Sequence, residues 1–490
     1  MAKKILIIIS IVIAVISLYP YFHLLTAIYN YPFSIYTDEG TYIRKALVFL
    51  DSGISFNNLE QYPYFITIYG FLYELTISPL LLFMEPSVNA GRIITMVSTM
   101  LIIVFSFKII FKISGNLYLC FIFSGSIIFF KLLAVYTAYS KNDMFLALLT
   151  LIVLYSMYFH NRKKQFAVTL IFTSLALMTK QTSIFIIPVV ISVWFMNRIT
   201  IKEFIKKSVI WISCLAIIFI LLFLAIPNYY YNTIVITGKI GHLSWSLKHM
   251  IFSQTIPLFR SLSIYIIIAL TLALLNRKKN IKVITPALLY IIFYMPIFFW
   301  TSINTGSMPV YYIFTVIGLS IYIPEQIKNY GKDLKPILYV AICMQLIIFL
   351  FFSSTKHFLK FYYPEPTETE IVDAREIDKI VREHDIENSF TTFSFNSFGL
   401  SRKSAKNNID FNIGGFAETN QLDLTPYIND FNNKRFSVIV GGFDYPEVKK
   451  AITNNYYLYK LIGGTTVYLP SANNIPVFYI DKTFLSVLLP

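Results

Sequence analysis

Long apolar segments alternate with short clusters of Lys and Arg through the first 353 residues of this 490-residue chain. A stretch of about 20 apolar residues is long enough to cross a bilayer as a helix. The first stretch, residues 5 to about 21, ends in Tyr and Pro where a cleaved signal peptide would have small residues, which indicates a retained signal anchor. The pattern predicts about eleven spans, at residues 5–27, 91–111, 117–136, 143–160, 166–179, 183–197, 208–226, 257–275, 283–300, 308–325 and 336–353.

The basic clusters predict how these spans are oriented. Under the positive-inside rule, clusters such as Lys108 with Lys112, and Arg162 with its two lysine neighbours, lie in cytoplasmic loops. The amino terminus is then cytoplasmic, and the loop that carries Asp38 lies outside. If residues 62–84 also crossed, those basic clusters would fall outside. We therefore expect this apolar stretch to pack in the outer leaflet without crossing.

Residues 354–490 are polar and charge-balanced, and Gly, Pro, Asn and Asp interrupt them often. The spacing of apolar residues predicts a helix from Glu368 to about Glu383 and strands at 436–440, 456–462 and 465–469. The sequence therefore predicts an α-helical polytopic membrane domain at 1–353, with its first outer loop at 28–61. It also predicts a small, soluble, extracytoplasmic α/β domain at 354–490.

Composition and charge argue against two classes of protein. The chain is 56% hydrophobic and 17% aromatic, with a mean hydropathy of +0.63, which a single soluble core does not explain. Of its formal charge of +15, residues 1–353 carry +17, from 27 Lys and Arg against 10 Asp and Glu, and the remainder carries −2. The basic excess therefore belongs to the membrane domain and follows the loops between spans, so a nucleic-acid partner is not indicated.

The adjacent carboxylates of Asp38 and Glu39 follow the first span by about a dozen residues, at the predicted outer surface. Such groups can take a proton from an acceptor or hold a metal beside a lipid-borne substrate. For Glu39 a second interpretation stays open, since a carboxylate also stabilises the first turn of a helix. Asp143 either supplies a second acidic group or caps the helix predicted to start at Met144.

Five short strings occur in order in the first 180 residues: Thr37-Asp38-Glu39-Gly40-Thr41-Tyr42, Leu59-Glu60-Gln61-Tyr62-Pro63-Tyr64, Ala90-Gly91-Arg92, Ala138-Tyr139-Ser140-Lys141-Asn142-Asp143-Met144 and Leu175-Ala176-Leu177-Met178-Thr179-Lys180. Together they resemble the motifs of membrane glycosyltransferases of the GT-C fold, especially the branch that contains protein O-mannosyltransferases and lipid A aminoarabinose transferases. Gln61 stands where that branch has Lys. Its later Arg-Tyr-x-x-Pro pattern survives only as Val310-Tyr311-Tyr312.

The resemblance implies an enzyme that moves a sugar, with inversion, from a polyprenyl-phosphate carrier to a hydroxyl or amine acceptor on the outer face of the membrane. Asp38 would be the general base or a metal ligand that orients the acceptor, and Glu39 and Asp143 would share the catalytic site. The predicted ligands of the donor phosphate are Lys180 first, then Arg44, Lys141 and Arg92. The predicted contacts to acceptor and sugar are Glu60, Tyr62 and Tyr42.

The sequence identifies no cofactor, and a divalent ion such as Mg or Mn between Asp38 and Asp143 stays an open interpretation. Lys180 has an alternative too, since a lone Lys at a helix end can extend to the interface. We expect a multi-pass protein of the bacterial cytoplasmic membrane whose partners are the lipid-linked donor, a glycan or lipid-linked acceptor and membrane lipids. The Ile, Asn and Lys-rich composition indicates an AT-rich bacterial genome, which favours a cell-surface polysaccharide such as lipopolysaccharide or O-antigen as acceptor.

Other membrane functions would act on the same substrates. A transporter or flippase for lipid-linked saccharides, or an O-antigen polymerase, would also have many spans. Transporters usually carry sequence repeats and spans broken by Gly or Pro near the middle of the bilayer, and neither is evident in this sequence. A glycosyltransferase is therefore the preferred interpretation.

Overall fold

The structure is a computed structural model of the 490-residue chain. It describes residues 2–35, 37–53, 56, 69–197, 200–236, 246–279, 283–303, 309–330, 336–351, 367–384, 388–391, 424–441 and 446–471. The chain forms two compact units. We call Met1–Asn30, Ile68–Tyr73 and Gly91–Pro364 the helical unit, and Tyr31–Thr67, Glu74–Ala90 and Glu365–Pro490 the α/β unit. Each unit therefore combines three separate segments of the chain, whereas the sequence predicted two continuous domains that meet after residue 353.

The helical unit is built from long apolar helices joined by short turns. Its α-helices are Ala2–Asn30, Asn89–Ser114, Leu117–Ser124, Ser126–Phe129, Lys131–Ala134, Asn142–Phe159, Arg162–Thr179, Ile186–Met196, Ile201–Ala225, Ile256–Lys278, Pro286–Ser302, Tyr312–Tyr330 and Pro336–Phe351. Short 3-10 helices at Val135–Thr137, Gln181–Phe185 and Pro309–Tyr311, and π-helical turns at Tyr231–Ile236 and His249–Thr255, join some of them. Helix Asn89–Ser114 begins two residues before the boundary with the α/β unit.

Within the described residues, five helical segments are long and apolar enough to cross a membrane: Lys4–Asn30, Asn89–Ser114, Asn142–Phe159, Ile201–Ala225 and His249–Lys278. Four shorter apolar helical stretches accompany them, at Leu72–Phe83, Gln181–Met196, Pro286–Ser302 and Ile337–Phe349. The predicted polytopic, mostly helical architecture is confirmed. The predicted number of about eleven spans and their orientation stay predictions.

The stretch predicted as one span at 117–136 is a broken helix in the structure. The expectation that none of the predicted spans is broken at Gly or Pro is therefore wrong for this span. Helix Leu117–Ser124 ends at Gly125, and two four-residue helices follow, Ser126–Phe129 and Lys131–Ala134. A Cβ at Gly125 would lie 2.5 Å from the Phe129 ring, so the chain passes close to its own next turn there. The second break is at Phe130, which has an extended ψ of 94°.

The described part of the predicted non-crossing stretch 62–84 forms two short helices, Leu72–Ile77 and Leu80–Phe83. They are separated at Ser78 and Pro79, where the proline ring removes a backbone N–H donor. Neither helix is long enough to cross a bilayer by itself. The location of this stretch in the outer leaflet stays a prediction.

The α/β unit contains helix Thr37–Ser52 and the carboxyl-terminal elements. It also contains residues 74–90, which include most of helix Leu72–Ile77 and all of helix Leu80–Phe83. The carboxyl-terminal elements are helices Glu368–Glu383, Thr425–Asn432 and Pro446–Asn455 and strands β1 (Ser389–Thr391), β2 (Val438–Val440), β3 (Tyr456–Ile462) and β4 (Thr465–Pro470). The predicted helix and the last two predicted strands occur within one residue of their expected bounds. The strand predicted at 436–440 is shorter than expected, and β1 was missed.

The four strands form one sheet in the order β1-β2-β4-β3. β1 and β2 are parallel, β4 is antiparallel to both β2 and β3, and the β3–β4 hairpin turns at Gly463 and Gly464. Both turn glycines have positive φ, 53° and 81°, as a tight hairpin requires. The sheet packs on helix Glu368–Glu383 through a core that includes Ile377, Val381, Val438 and Val467.

Candidate active site

In the helical unit, Asp143 and Lys180 form a buried ion pair. The Lys180 Nζ donates to Asp143 Oδ1 at 2.8 Å, and the side chains are 4% and 1% exposed. Asp143 lies in the first turn of helix Asn142–Phe159, and Lys180 follows helix Arg162–Thr179, which packs against it. Because helix Arg162–Thr179 runs back along helix Asn142–Phe159, Lys180 at its carboxyl end lies beside the first turn of the earlier helix.

Two tyrosines enclose the Lys180 ammonium. Its Nζ lies 3.3 Å from the Tyr311 hydroxyl, to which it donates, and 4.6 Å and 4.9 Å from the ring centroids of Tyr69 and Tyr311. Burial lowers the pKa of Lys180, whereas Asp143 and the two tyrosines raise it, and the result is a pKa well above the ordinary value. Lys180 is therefore held as a cation.

Gly70 explains how Tyr69 reaches this position. A Cβ at residue 70 would overlap the backbone carbonyl of Met178, so only glycine lets the chain approach the end of helix Arg162–Thr179 this closely. Tyr69, the neighbouring residue, then lies over the lysine that follows that end. Sequence reasoning assigned no role to Tyr69, and the only available signal was a glycine beside an aromatic residue.

Polar atoms without partners surround the same helix start. Asp143 Oδ2 and both side-chain polar atoms of Asn142 are buried and have no hydrogen-bond partner within the described part of the chain. Buried polar atoms are satisfied in the great majority of cases, so each exception needs an explanation. A polar ligand that enters at this helix start would supply the missing partners.

Two further predicted phosphate ligands, Arg92 and Lys141, are also buried in the helical unit. The Arg92 Nη1 donates to the Ile28 carbonyl oxygen at 2.5 Å, at the end of the first helix. The backbone N–H of Lys141 donates to Thr95 Oγ1 at 3.3 Å. The Tyr73 hydroxyl, another group that sequence reasoning missed, lies 3.1 Å from Thr95 Oγ1 and 3.3 Å from Ser140 Oγ. These contacts fix the chain just before Asp143.

In the α/β unit, Asp38 is the second residue of helix Thr37–Ser52, which we call the Asp38 helix. A Thr-Asp-Glu start favours a helix amino terminus. The helix is buried on all sides over most of its length, since every residue from Glu39 to Val48 is buried. The Asp38 side chain lies outside the described atoms, so its catalytic and metal-binding roles stay predictions.

Glu39 and Arg44 of the Asp38 helix are buried and hydrogen-bonded. Glu39 Oε2 accepts the backbone N–H of Ile35 at 2.9 Å, which closes the turn that leads into the helix. Arg44 Nη2 donates to Thr391 Oγ1 at 3.1 Å, at the end of β1. Burial lowers the pKa of Arg44 to about 9. Both residues thus have structural contacts in addition to their predicted chemical roles.

The remaining predicted site residues are Tyr42, Glu60 and Tyr62. Tyr42 is buried in the Asp38 helix. Glu60 and Tyr62 lie outside the described residues. Among the residues that the structure describes, no three His, Cys, Asp or Glu side chains come together as a metal site. The interpretation with a divalent ion between Asp38 and Asp143 is neither strengthened nor weakened by this.

No family model matches the sequence, and no curated protein does. Solved structures do match. The crystal structure of ArnT from Cupriavidus metallidurans bound to undecaprenyl phosphate has a TM-score of 0.58 at 14% identity, over 94% of this chain and 98% of that one. The apo structure of the same ArnT has a TM-score of 0.56 at 14% identity, over 93% and 97% of the two chains. ArnT is a lipid A aminoarabinose transferase with the GT-C fold.

This chain has the GT-C fold. The resemblance inferred from the five strings of residues 37–180 is confirmed at the level of the fold, because the match extends over nearly the whole of both chains. At 14% identity, the roles of individual side chains rest on the contacts described above.

Proposed function

We propose that this protein is an inverting glycosyltransferase that moves a sugar from a polyprenyl-phosphate carrier to a cell-surface glycan. The observation that carries the proposal is the GT-C fold shared over 94% of the chain with an ArnT whose structure contains undecaprenyl phosphate. The apolar helices long enough to cross a membrane support a lipid-borne donor. We place the reaction on the outer face of the bacterial cytoplasmic membrane, with the amino terminus in the cytoplasm.

In the proposed reaction, an acceptor hydroxyl attacks the anomeric carbon of the donor sugar. A bond forms between the acceptor oxygen and that carbon, while the bond from the carbon to the carrier's phosphate oxygen breaks with its electron pair. The Asp38 carboxylate takes the acceptor's proton, and polyprenyl phosphate leaves as an anion. Inversion follows because the acceptor enters opposite the leaving group.

The leaving phosphate gains negative charge in the transition state, so a fixed cation beside it accelerates the reaction. Lys180 suits this role because Asp143 and Tyr311 hold its ammonium in place through two of its three N–H donors. The third N–H is then directed to a phosphate oxygen. Asp143 positions Lys180, and Asn142 with Asp143 Oδ2 supplies polar contacts to the sugar or the acceptor.

The proposed acceptor is a glycan of the bacterial cell surface. We favour lipopolysaccharide or O-antigen because of the bacterial composition of the sequence. Comparison of the surface glycans of a deletion strain with those of its parent tests this choice, since the predicted product is the glycan that the deletion strain lacks.

The test of the proposed reaction is the variant Asp38→Asn in membranes supplied with a polyprenyl-phosphate sugar. We expect transfer to fall by at least about 100-fold, because general-base catalysis contributes roughly that much. Asp51→Asn is the matched control, since Asp51 is an exposed carboxylate on the same helix. Full transfer by Asp38→Asn, at unchanged protein abundance, would remove Asp38 from the role of base.

The alternative function is transport of a lipid-linked saccharide. Purified protein in proteoliposomes separates the two functions. A glycosyltransferase joins the sugar to the acceptor and releases polyprenyl phosphate, whereas a flippase moves the intact lipid-linked saccharide between leaflets. Translocation without any bond cleavage would favour the flippase.

A further inference from the structure

The chain just before Asp38 packs into the core of the carboxyl-terminal fold. Phe33 is 7% exposed and belongs to the same apolar cluster as Ile377 and Val381 of helix Glu368–Glu383 and Val438 and Val467 of the sheet. Tyr31 packs against this cluster and makes an edge-to-face contact with Phe33, with ring centroids 5.8 Å apart. Phe33 lies five residues before Asp38 and is therefore an anchor on its amino-terminal side.

A second anchor lies after Asp38. Arg44 donates to Thr391 Oγ1 at 3.1 Å, and both side chains are buried. Thr391 is the last residue of β1, which pairs in parallel with β2 along three residues. The sheet thus holds the Thr391 hydroxyl in place, and this hydroxyl in turn holds the Arg44 guanidinium.

Glu39 connects the two anchors. Its carboxylate accepts the Ile35 N–H at 2.9 Å, so the turn between Phe33 and the Asp38 helix is closed by a charged acceptor. Contacts therefore hold the backbone on both sides of Asp38: Phe33 in the apolar core, Glu39 at the turn and Arg44 at the sheet.

We propose that the carboxyl-terminal α/β fold positions the Asp38 helix for catalysis, with Phe33, Glu39 and Arg44 as its positioning residues. The inference rests on the proposed function, because positioning matters only if Asp38 reacts. It changes the role of Arg44, which sequence reasoning assigned to the donor phosphate. It also gives the carboxyl-terminal fold a direct part in the transfer reaction, through the position of the base.

The decisive variant is Thr391→Val, which removes the hydroxyl but keeps the shape and suits a strand. Thr391→Ser keeps the hydroxyl and is the conservative rescue. Thr466→Val is the matched control, because the Thr466 hydroxyl donates to the Gly441 carbonyl within the same sheet and belongs to none of the three contacts. Arg44→Lys is a second test, since it keeps a long basic side chain but loses the planar fork of donors.

The first measurement is hydrogen–deuterium exchange on the full-length protein in detergent. We expect Thr391→Val and Arg44→Lys to speed exchange in peptides from residues 37–52 roughly tenfold, with no change in peptides from β3 and β4. Thr391→Ser and Thr466→Val should match the wild-type chain. Unchanged exchange in residues 37–52 of both Thr391→Val and Arg44→Lys would overturn the proposal, whether or not the protein transfers sugar.

The second measurement is steady-state sugar transfer. A displaced base lowers kcat, and a misplacement of about 1 Å can cost roughly 100-fold. We expect Thr391→Val and Arg44→Lys to lower kcat by roughly 10- to 100-fold with unchanged KM for the donor. A raised donor KM in Arg44→Lys alone, with Thr391→Val like wild type, would return Arg44 to the phosphate and contradict the inference. No transfer by the wild-type chain would instead count against the proposed function, and the exchange experiment would still decide the positioning.

Discussion

The two units hold their candidate site residues in different ways. In the helical unit, Asp143 is paired with Lys180, 37 residues away, through one ion pair of 2.8 Å. In the α/β unit, the Asp38 helix is bonded through Arg44 to Thr391, which is 347 residues away. The first arrangement is a hairpin of neighbouring helices. The second depends on a sheet that is complete only after the last strands have formed.

The two units also differ in how a buried carboxylate is paired. Asp143 has a lysine within hydrogen-bond distance, whereas Glu74 is 5% exposed and its Oε2 has no hydrogen-bond partner in the described residues. Burial raises the pKa of Glu74 to about 7, and the nearby charge of Lys45 only partly opposes this. The charge of Lys45 therefore does not fully compensate for the burial of Glu74.

The largest expected effect comes from breaking the Asp143–Lys180 pair. Lys180→Met leaves the Asp143 carboxylate buried without its partner, which should lower the free energy of unfolding by about 3 to 5 kcal/mol and abolish transfer. Unfolding of the purified protein in detergent, followed by circular dichroism, measures the first effect. The double variant Lys180→Met with Asp143→Leu should recover most of the stability but none of the transfer.

An exposed pair in the same unit provides the control. Arg162 and Glu203 are 3.0 Å apart but 51% and 48% exposed. Arg162→Met should therefore change the free energy of unfolding by less than about 1 kcal/mol. Equal losses in Lys180→Met and Arg162→Met would show that burial does not distinguish the two pairs.

A smaller effect is expected from the pH dependence of Glu74. Its pKa in the folded protein, about 7, lies above the ordinary value of 4.5, so folding favours the protonated carboxyl. The stabilisation is full below pH 4.5 and is lost as pH rises through 7, by about 3 kcal/mol in total at 1.36 kcal/mol per pH unit. Glu74→Gln should flatten this part of the curve of unfolding free energy against pH. An unchanged slope in Glu74→Gln would assign the pH dependence to another group.

The sequence predicted the parts of the molecule that depend on local pattern. Helix Glu368–Glu383 and strand β4 follow their apolar spacing closely, because both pack on the core. Strand β3 was predicted from its run of Tyr, Leu and Ile, although only Tyr456 and Ile462 at its ends are buried. The break at Gly125 was missed although Ser124-Gly125-Ser126 interrupts the apolar run there and Lys131 follows the second break, because single Gly and Ser residues also occur inside membrane-spanning helices. β1 is only three residues long, too short for an alternating pattern to show.

In the candidate site, the sequence identified individual residues but not the contacts between them. The resemblance pointed to Asp143 and Lys180 as separate residues, but only the packing of two helices shows that they form a pair. The contact of Arg44 with Thr391 had no sequence signal, because 347 residues separate the partners. Nothing in the local sequence marked Phe33 as a core residue, because the residues that bury it lie more than 300 positions later in the chain.

The most direct test of the central claim is the side of the membrane on which residue 38 lies. Cys120, Cys214 and Cys343 are first replaced by Ala, and Asp38→Cys is introduced into this chain. Spheroplasts, in which the cytoplasmic membrane is intact but the outer layers of the envelope are removed, are then treated with an impermeant thiol reagent. Lys163→Cys, at an exposed position in a predicted cytoplasmic loop, is the control. We expect labelling at 38 without permeabilisation and at 163 only after it. Labelling at 38 only after permeabilisation would place Asp38 in the cytosol and contradict the proposed reaction on the outer face.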